Sequence, residues 1–160
     1  PAPIEFRDLK DKQMFHLGGL DVMAIAVPGH TQGFMCFLIL QEKMMLLGDA
    51  CNKSVFLFFP ESTTVSDYQK SLIYLDSYKD YFTRCLISHG SGRTSTSSVD
   101  TCISACESIL EGKDDAIPFY FMGYDAKMAY SADDKFNRYD GIDGNIMYSP
   151  SKIRHYKRNA

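Results

Sequence analysis

Short, continuous apolar runs separated by glycine and polar turns are the feature that most limits the fold of this chain. The runs at 34–40 and 44–47 contain no charged residue and are too short for typical helices. Strands of this kind are usually buried on both faces, which requires packed layers above and below a sheet. The pattern therefore predicts a layered α/β body. No apolar run approaches the ~18 residues of a membrane span, so no membrane partner is expected.

Other segments complete this body. Further strands are predicted at 14–17 and 20–27 around the Gly18-Gly19 turn, at 85–88 and at 145–148, with a less regular one at 119–122. A helix is predicted after Thr64, which with Asp67 resembles a capping pair, and a second helix is predicted after Ser97 or Ser98, ending at Gly112. The residues at 125–137 are expected to form a loop or a short helix.

Composition limits the class of protein. A length of 160 residues without a linker or repeat indicates a single domain over 1–160. The net charge of −3 argues against a nucleic-acid partner, and the basic residues at 152–158 favour a solvated terminus. Five cysteines without a paired spacing favour free buried thiols and a cytoplasmic location. Because Pro1 begins the chain without an initiator methionine, we interpret it as a processed product.

Three potential metal ligands follow apolar strands and lie beside glycines. His30 lies in Pro-Gly-His-Thr-Gln-Gly, Asp49 in Leu-Gly-Asp-Ala, and His89 in Ile-Ser-His-Gly. Strand ends are where α/β sheets usually carry their sites. Imidazole and carboxylate suit zinc or iron, and a carboxylate can bridge two ions about 3.5–4 Å apart. Taken singly, each residue is more commonly part of a turn; together they predict a metal site.

In this order and with these flanking residues, the three segments resemble the later motifs of the metallo-β-lactamase superfamily. The stretch 66–90 and the strand at 145–153 extend the resemblance to about 20–153. It implies the carboxyl-terminal half of an αββα sandwich, with a mixed sheet and helices packed on its outer face. The chain is thus expected to be a partial domain, because it lacks the family's earlier His-x-His-x-Asp-His motif.

The resemblance also implies roles for individual residues. His30 would be a ligand of the first metal, Asp49 the carboxylate that bridges two ions, and His89 a ligand of the second. Thr31 would orient a neighbouring ligand. The complete site would hold two zinc ions, with iron or manganese as alternatives, and would activate water for hydrolysis.

Two further candidates are less specific. Cys51 follows Asp49 by two residues, so in an extended backbone it would point the same way and support or ligate the metal, although a packed thiol is the more common arrangement. His16 is expected at the surface.

Two hypotheses about function remain open. In the first, the chain is a fragment of a metal-dependent hydrolase that acts on a small-molecule ester, thioester, lactone, amide or phosphodiester. Because a catalytic zinc normally takes three protein ligands, the isolated chain is then expected to bind zinc weakly and to be inactive. In the second, it is a non-catalytic half-domain that self-associates, as a homodimer or by strand exchange, or that complements a partner chain.

Overall fold

A computed structural model of the chain describes residues 6–155, which fold into ten strands and two α-helices. The strands are β1 (Met14–Leu17), β2 (Leu20–Ala26), β3 (Met35–Ile39), β4 (Met44–Gly48), β5 (Ser54–Leu57), β6 (Arg84–Ile87), β7 (Arg93–Thr94), β8 (Ile117–Phe121), β9 (Tyr124–Met128) and β10 (Asn145–Tyr148). The helices are α1 (Val65–Asp76) and α2 (Ser98–Glu111), and single 3₁₀ turns lie at Lys79–Tyr81 and Pro150–Lys152.

The strands form two mixed sheets, which confirms the predicted α/β class. The larger sheet has the order β1-β2-β3-β4-β6-β7, and the smaller has the order β5-β10-β9-β8. Neighbours are antiparallel except for β4 with β6 and β5 with β10, which are parallel. The predicted β1–β2 hairpin is present: Gly18 and Gly19 both have positive φ, as a tight two-residue turn requires.

The two helices and one face of each sheet share a single core. Alternate residues of β3 and β4 (Cys36 and Leu38, Met45 and Leu47) are fully buried, and so are Val55 and Leu57 of β5. The apolar stripes of both helices pack against these residues, namely Val65, Tyr68, Leu72, Leu75, Val99, Cys102, Ala105, Cys106 and Ile109. This packing fixes the ends of β2, β4 and β6 relative to one another.

The helix ends follow the predicted signals in part. Asp67 donates its backbone N–H to the Thr64 hydroxyl at 3.1 Å, which confirms the N-cap of α1. Gly112 ends α2 in the left-handed conformation, as predicted. Ser97 occupies the N-cap position of α2, which begins at Ser98 as predicted. Its side chain makes no cap hydrogen bond, however, and the hydroxyl of Ser98 is buried without a partner in the described part of the chain.

Three strands were not predicted. Residues 124–128 form β9 rather than a loop or a short helix, because they pair with β8 on one side and with β10 on the other. The polar loop after His89 contains the two-residue strand β7, which adds to the edge of the larger sheet. β5 lies shortly after Asp49 and pairs with β10, about 90 residues further along the chain. All three depend on pairing between distant segments.

No helix within residues 6–155 has the length and apolar character needed to cross a bilayer.

Candidate functional site

His30 lies in the turn that follows β2, and its ring orientation is fixed by the backbone. The turn is closed by hydrogen bonds from Val27 N to Phe34 O and from Gly29 N to Thr31 O. The Nδ1 of His30 lies 2.9 Å from the carbonyl oxygen of Phe56. Since a carbonyl only accepts, Nδ1 is the donor in this contact, and in the neutral imidazole the lone pair is then on Nε2. Histidines that bind metals are commonly oriented in this way.

Asp49 and His89 come together because β4 and β6 are parallel neighbours. Each residue follows the carboxyl end of its strand, and the backbone N–H of Ser88 donates to the carbonyl of Gly48. The Nε2 of His89 lies 3.1 Å from Oδ1 of Asp49. The two side chains are thus in direct contact, and their spacing also agrees with the roughly 3–3.5 Å between two ligands that share an ion about 2.1 Å from each.

One cavity of about 480 Å³ is lined by His30, Asp49 and His89 together. Its remaining walls are mainly apolar, from Val55, Phe56, Ile87 and Phe136, with Lys53 and Lys135 among the polar lining residues. The structure thus brings the three predicted ligands to a common space. Within residues 6–155, however, no three side chains of His, Cys, Asp or Glu are grouped closely enough to hold an ion by themselves. The donor types fit zinc, but the described residues provide an incomplete shell.

Asn52 is a site residue that sequence reasoning missed. Its Nδ2 donates to Oδ1 of Asp49 at 3.0 Å, and its Oδ1 accepts the backbone N–H of Ser54 at 2.9 Å. The side chain is buried, and both ends of its amide are bonded. Asn52 therefore orients the Asp49 carboxylate. The available signal was the Asp-Ala-Cys-Asn sequence after a buried strand, because an Asn side chain in a turn commonly bonds to the backbone two residues further on, as Asn52 does to Ser54.

Tyr68 of α1 connects the loops that carry His30 and Asp49. Its hydroxyl donates to the carbonyl of Ala50, and its ring lies against the backbone of Gly29. A Cβ atom at Gly29 would lie 2.3 Å from Tyr68 Cδ2, so a side chain is excluded there. Burial raises the pKa of Tyr68 well above its ordinary value, so the hydroxyl keeps its proton and remains a donor.

Lys152 holds the segment that supports His30. Its Nζ donates to the carbonyls of Phe59, Pro60 and Ser62 at 2.6, 2.9 and 2.8 Å. The hydroxyl of Ser62 in turn donates to the carbonyl of His30 at 2.8 Å. Burial lowers the pKa of Lys152.

The sequence predicted that the basic segment at 152–158 is solvated. The structure shows instead that part of this segment is bound to the rest of the fold. Arg154 donates to the carbonyl of Leu110, and His155 pairs with Asp67. The basic residues Lys157 and Arg158 lie outside the described residues.

Thr31 and Cys51 occupy different environments. The carbonyl of Thr31 accepts hydrogen bonds from Gly29 and Phe34, while its hydroxyl has no partner within the part of the chain that the structure describes. Cys51 is fully buried in the core and does not line the cavity. A hydrogen bond with the Cys102 thiol, together with burial, raises its pKa. The bend after Asp49, rather than an extended backbone, turns Cys51 into the core.

His16 lies at the surface, as predicted, and pairs with Asp21.

Comparison with known proteins identifies the fold. No family model matches the chain. Over 43 residues, or 27% of this chain, it is 42% identical to the "Atrochrysone carboxyl ACP thioesterase" of Claviceps purpurea (strain 20.1). Over the same length it is 46% identical to the "Lactamase-like protein vrtG" of Penicillium aethiopicum. Each match spans 14% of the relative.

Among solved structures, a metallo-beta-lactamase family protein from Thermus thermophilus superposes with a TM-score of 0.51 at 19% identity. The alignment covers 65% of this chain and 36% of that protein. The chain thus has the metallo-β-lactamase fold, as the sequence resemblance predicted, and corresponds to part of the larger protein. The similarity at this level concerns the fold, so the activity must be argued from the site.

Proposed function

We propose that this chain contributes part of the active site of a metal-dependent hydrolase, with His30, Asp49 and His89 as metal ligands. The observation that carries the proposal is that the three side chains line one cavity, with His89 Nε2 lying 3.1 Å from Asp49 Oδ1. In the proposed site, His30 would help to hold the first of two zinc ions, His89 would help to hold the second, and the Asp49 carboxylate would contribute to both. Iron or manganese would suit the same donors.

The chain's own residues orient these ligands. The Phe56 carbonyl holds His30 with Nε2 free, and the Asn52 amide fixes the Asp49 carboxylate. When bound, the metal ions would supply hydroxide at neutral pH and polarise a carbonyl or phosphoryl oxygen. Val55, Phe56 and Ile87 limit the water around the reacting group. Because the Thr31 hydroxyl has no partner within residues 6–155, its proposed role of orienting a ligand belongs to the complete site with metal bound. For Cys51, burial and the contact with Cys102 favour a packing role.

The substrate class follows from metal-activated water. Esters, thioesters, lactones, amides and phosphodiesters all react at a carbonyl or phosphoryl centre that such a site can polarise. We favour a thioester or ester, because one of the curated relatives is a thioesterase by name. The five free, buried thiols of the described residues support a reducing, cytoplasmic location as part of the same proposal.

The ligand count limits what the isolated chain can do. It offers one ligand to the first ion and two, one of them shared, to the second. A catalytic zinc normally takes three protein ligands and a water molecule. We therefore expect this chain alone to bind zinc weakly and to hydrolyse no substrate at a measurable rate.

Zinc titration by calorimetry tests the proposal. We expect His89→Ala and Asp49→Asn to abolish the weak zinc binding of the chain, whereas the matched control His16→Ala should leave it unchanged. Zinc binding that survives both site substitutions would overturn the ligand assignment. Tight, stoichiometric zinc with hydrolysis of a p-nitrophenyl ester would support the hydrolase and contradict the inactivity of the isolated chain.

A second candidate is a half-domain without catalysis that self-associates or complements a partner chain. It is favoured by apolar residues on the face of the larger sheet that points away from the core. There the cross-strand pairs Phe37–Leu46 and Ile39–Met44 are only half-buried. Sedimentation at increasing protein concentration should then show a dimer, and a monomer at all concentrations would contradict self-association.

A further inference from the structure

A short turn at 133–137 contributes two residues, Lys135 and Phe136, to the lining of the site cavity. This turn places Phe136 in the lining, where its ring contacts Phe56 and Phe119 edge-to-face at centroid distances of 6.1 and 6.2 Å. With Val55 and Ile87, the rings of Phe56 and Phe136 provide an apolar surface in the cavity that the proposed metal ligands also line. A flat aromatic group of a ligand could pack against the rings of Phe56 and Phe136.

The conformation of the turn is unusual and strongly held. Phe136 has a φ of +61°, which is uncommon for a bulky side chain. Oδ1 of Asp133 accepts the backbone N–H groups of Lys135 and Asn137 at 2.9 and 2.8 Å, and the Asp133 carbonyl accepts that of Phe136 at 3.0 Å. Backbone strain that the surroundings maintain in this way is typical of ligand-binding segments.

The turn is also tied to the loop that carries Asp49. Asn137 donates from Nδ2 to Oδ2 of Asp133 at 2.9 Å, and its Oδ1 accepts from Nζ of Lys53 at 2.5 Å. Lys53 lies four residues after Asp49, so the chain of bonds joins the turn directly to the proposed metal-binding loop. The Lys53 ammonium therefore helps to position the turn through its hydrogen bond to Asn137.

Lys135, in contrast, interacts with the neighbouring Asp133 carboxylate only through the attraction of their charges and not through a side-chain hydrogen bond. Its side chain is exposed, lines the cavity, and makes no hydrogen bond or salt bridge within residues 6–155. The nearby carboxylate of Asp133 is already occupied by three N–H donors. An ammonium group in this position raises the local concentration of anions.

We propose that Phe136 and Lys135 select the substrate: an ester or thioester whose acyl group is aromatic and carries a carboxylate. The inference rests on the proposed hydrolase function and specifies its substrate class. In this arrangement the aromatic group of the substrate packs on Phe136 and Phe56, and its carboxylate lies beside the Lys135 ammonium. The carbonyl of the ester or thioester bond then faces His30, Asp49 and His89.

Binding of two small probes to the full chain without metal tests this assignment. In the presence of a chelator, 2-naphthoate and the uncharged 2-naphthamide are titrated by NMR. We expect naphthoate to bind about two- to fivefold more tightly, the range typical of an exposed ion pair. Lys135→Gln should abolish the preference, and the control Lys113→Gln, at the far end of α2, should retain it. Phe136→Ala should weaken both probes, and the larger Phe136→Leu should weaken them less.

The outcomes separate this inference from the proposed function. Equal binding of the two probes, no binding at millimolar concentration, or a preference that survives Lys135→Gln would overturn the substrate class while leaving the metal ligands untouched. A preference for naphthoate that depends on Lys135 would support the cavity assignment. If zinc binding were at the same time unchanged by His89→Ala and Asp49→Asn, the hydrolase proposal would be overturned.

Discussion

The ring of Tyr68 lies against the backbone of Gly29, and no side chain fits between them. Gly29 immediately precedes His30, so this contact sets the position of the first predicted ligand. The same tyrosine bonds to the carbonyl of Ala50, the residue after Asp49. One helix residue therefore fixes the spacing of two ligand-bearing loops.

We expect Gly29→Ala to lower the free energy of unfolding by about 2 kcal/mol, because overpacking forces Tyr68 or the turn to shift. Urea denaturation measures the change. Gly33→Ala is the matched control, since a Cβ there meets nothing within 4 Å. Equal stabilities of the two variants would contradict the close contact.

Asn52→Ala should weaken zinc binding by about tenfold, because Asp49 loses the amide that orients it. The unfolding free energy should fall by about 1–2 kcal/mol, since the Ser54 amide loses its acceptor. Zinc calorimetry and urea denaturation give the two values. Unchanged zinc affinity would show that Asn52 has no part in the site.

Asp67 should make stability depend on pH in the acid range. Burial raises its pKa, but hydrogen bonds from Lys70 and Thr64 and the pairing with His155 lower it more, so the folded pKa lies below its ordinary value. A carboxylate of this kind stabilises the fold above its unfolded pKa of about 4, and the stabilisation is lost as the pH falls towards the folded value.

Asp67→Asn should therefore cost about 1 kcal/mol at pH 7 and much less near pH 2. Urea denaturation across this pH range provides the test. Asp100→Asn is the control, because Asp100 lies in the first turn of α2 without a side-chain hydrogen bond in the described region. A cost that is the same at both pH values would contradict the assigned contacts.

The five cysteines should resist thiol reagents in the folded protein, since all are buried. Burial raises the pKa of Cys85 to about 11, so that about one Cys85 thiol in a thousand is ionised at pH 8. Ellman's reagent should report five thiols only after denaturation. Rapid reaction of one or more thiols under native conditions would contradict the packing of the core.

Local signals in the sequence predicted α1 and the three ligand-bearing loops. The Thr64–Asp67 cap and the apolar stripe of α1 act within a few residues, and each ligand follows its own apolar strand and glycine. The proximity of Asp49 and His89 required one additional fact, the parallel pairing of β4 and β6.

The missed features depend on distant partners or on backbone direction. The polar residues Asp125 and Lys127 obscured β9, whose pairing with β8 and β10 outweighs local preference. The bond between Lys53 and Asn137 joins positions 84 residues apart, so no local pattern indicates it. A supporting role for Cys51 at the metal depended on an extended backbone; the chain bends after Asp49, and the thiol is packed in the core, which the sequence analysis gave as the more common arrangement.

The contacts of Lys152 have a consequence for any shortened or fused form of this polypeptide. Three peptide oxygens near His30 depend on one ammonium group that lies beyond the final strand. Deletions that reach His155, Arg154 and Ile153 should remove their contacts with Asp67, Leu110 and Ser66 one at a time, and a deletion that removes position 152 should loosen the histidine turn abruptly. Affinity tags and fluorescent fusions are better attached with a spacer that leaves this lysine in place.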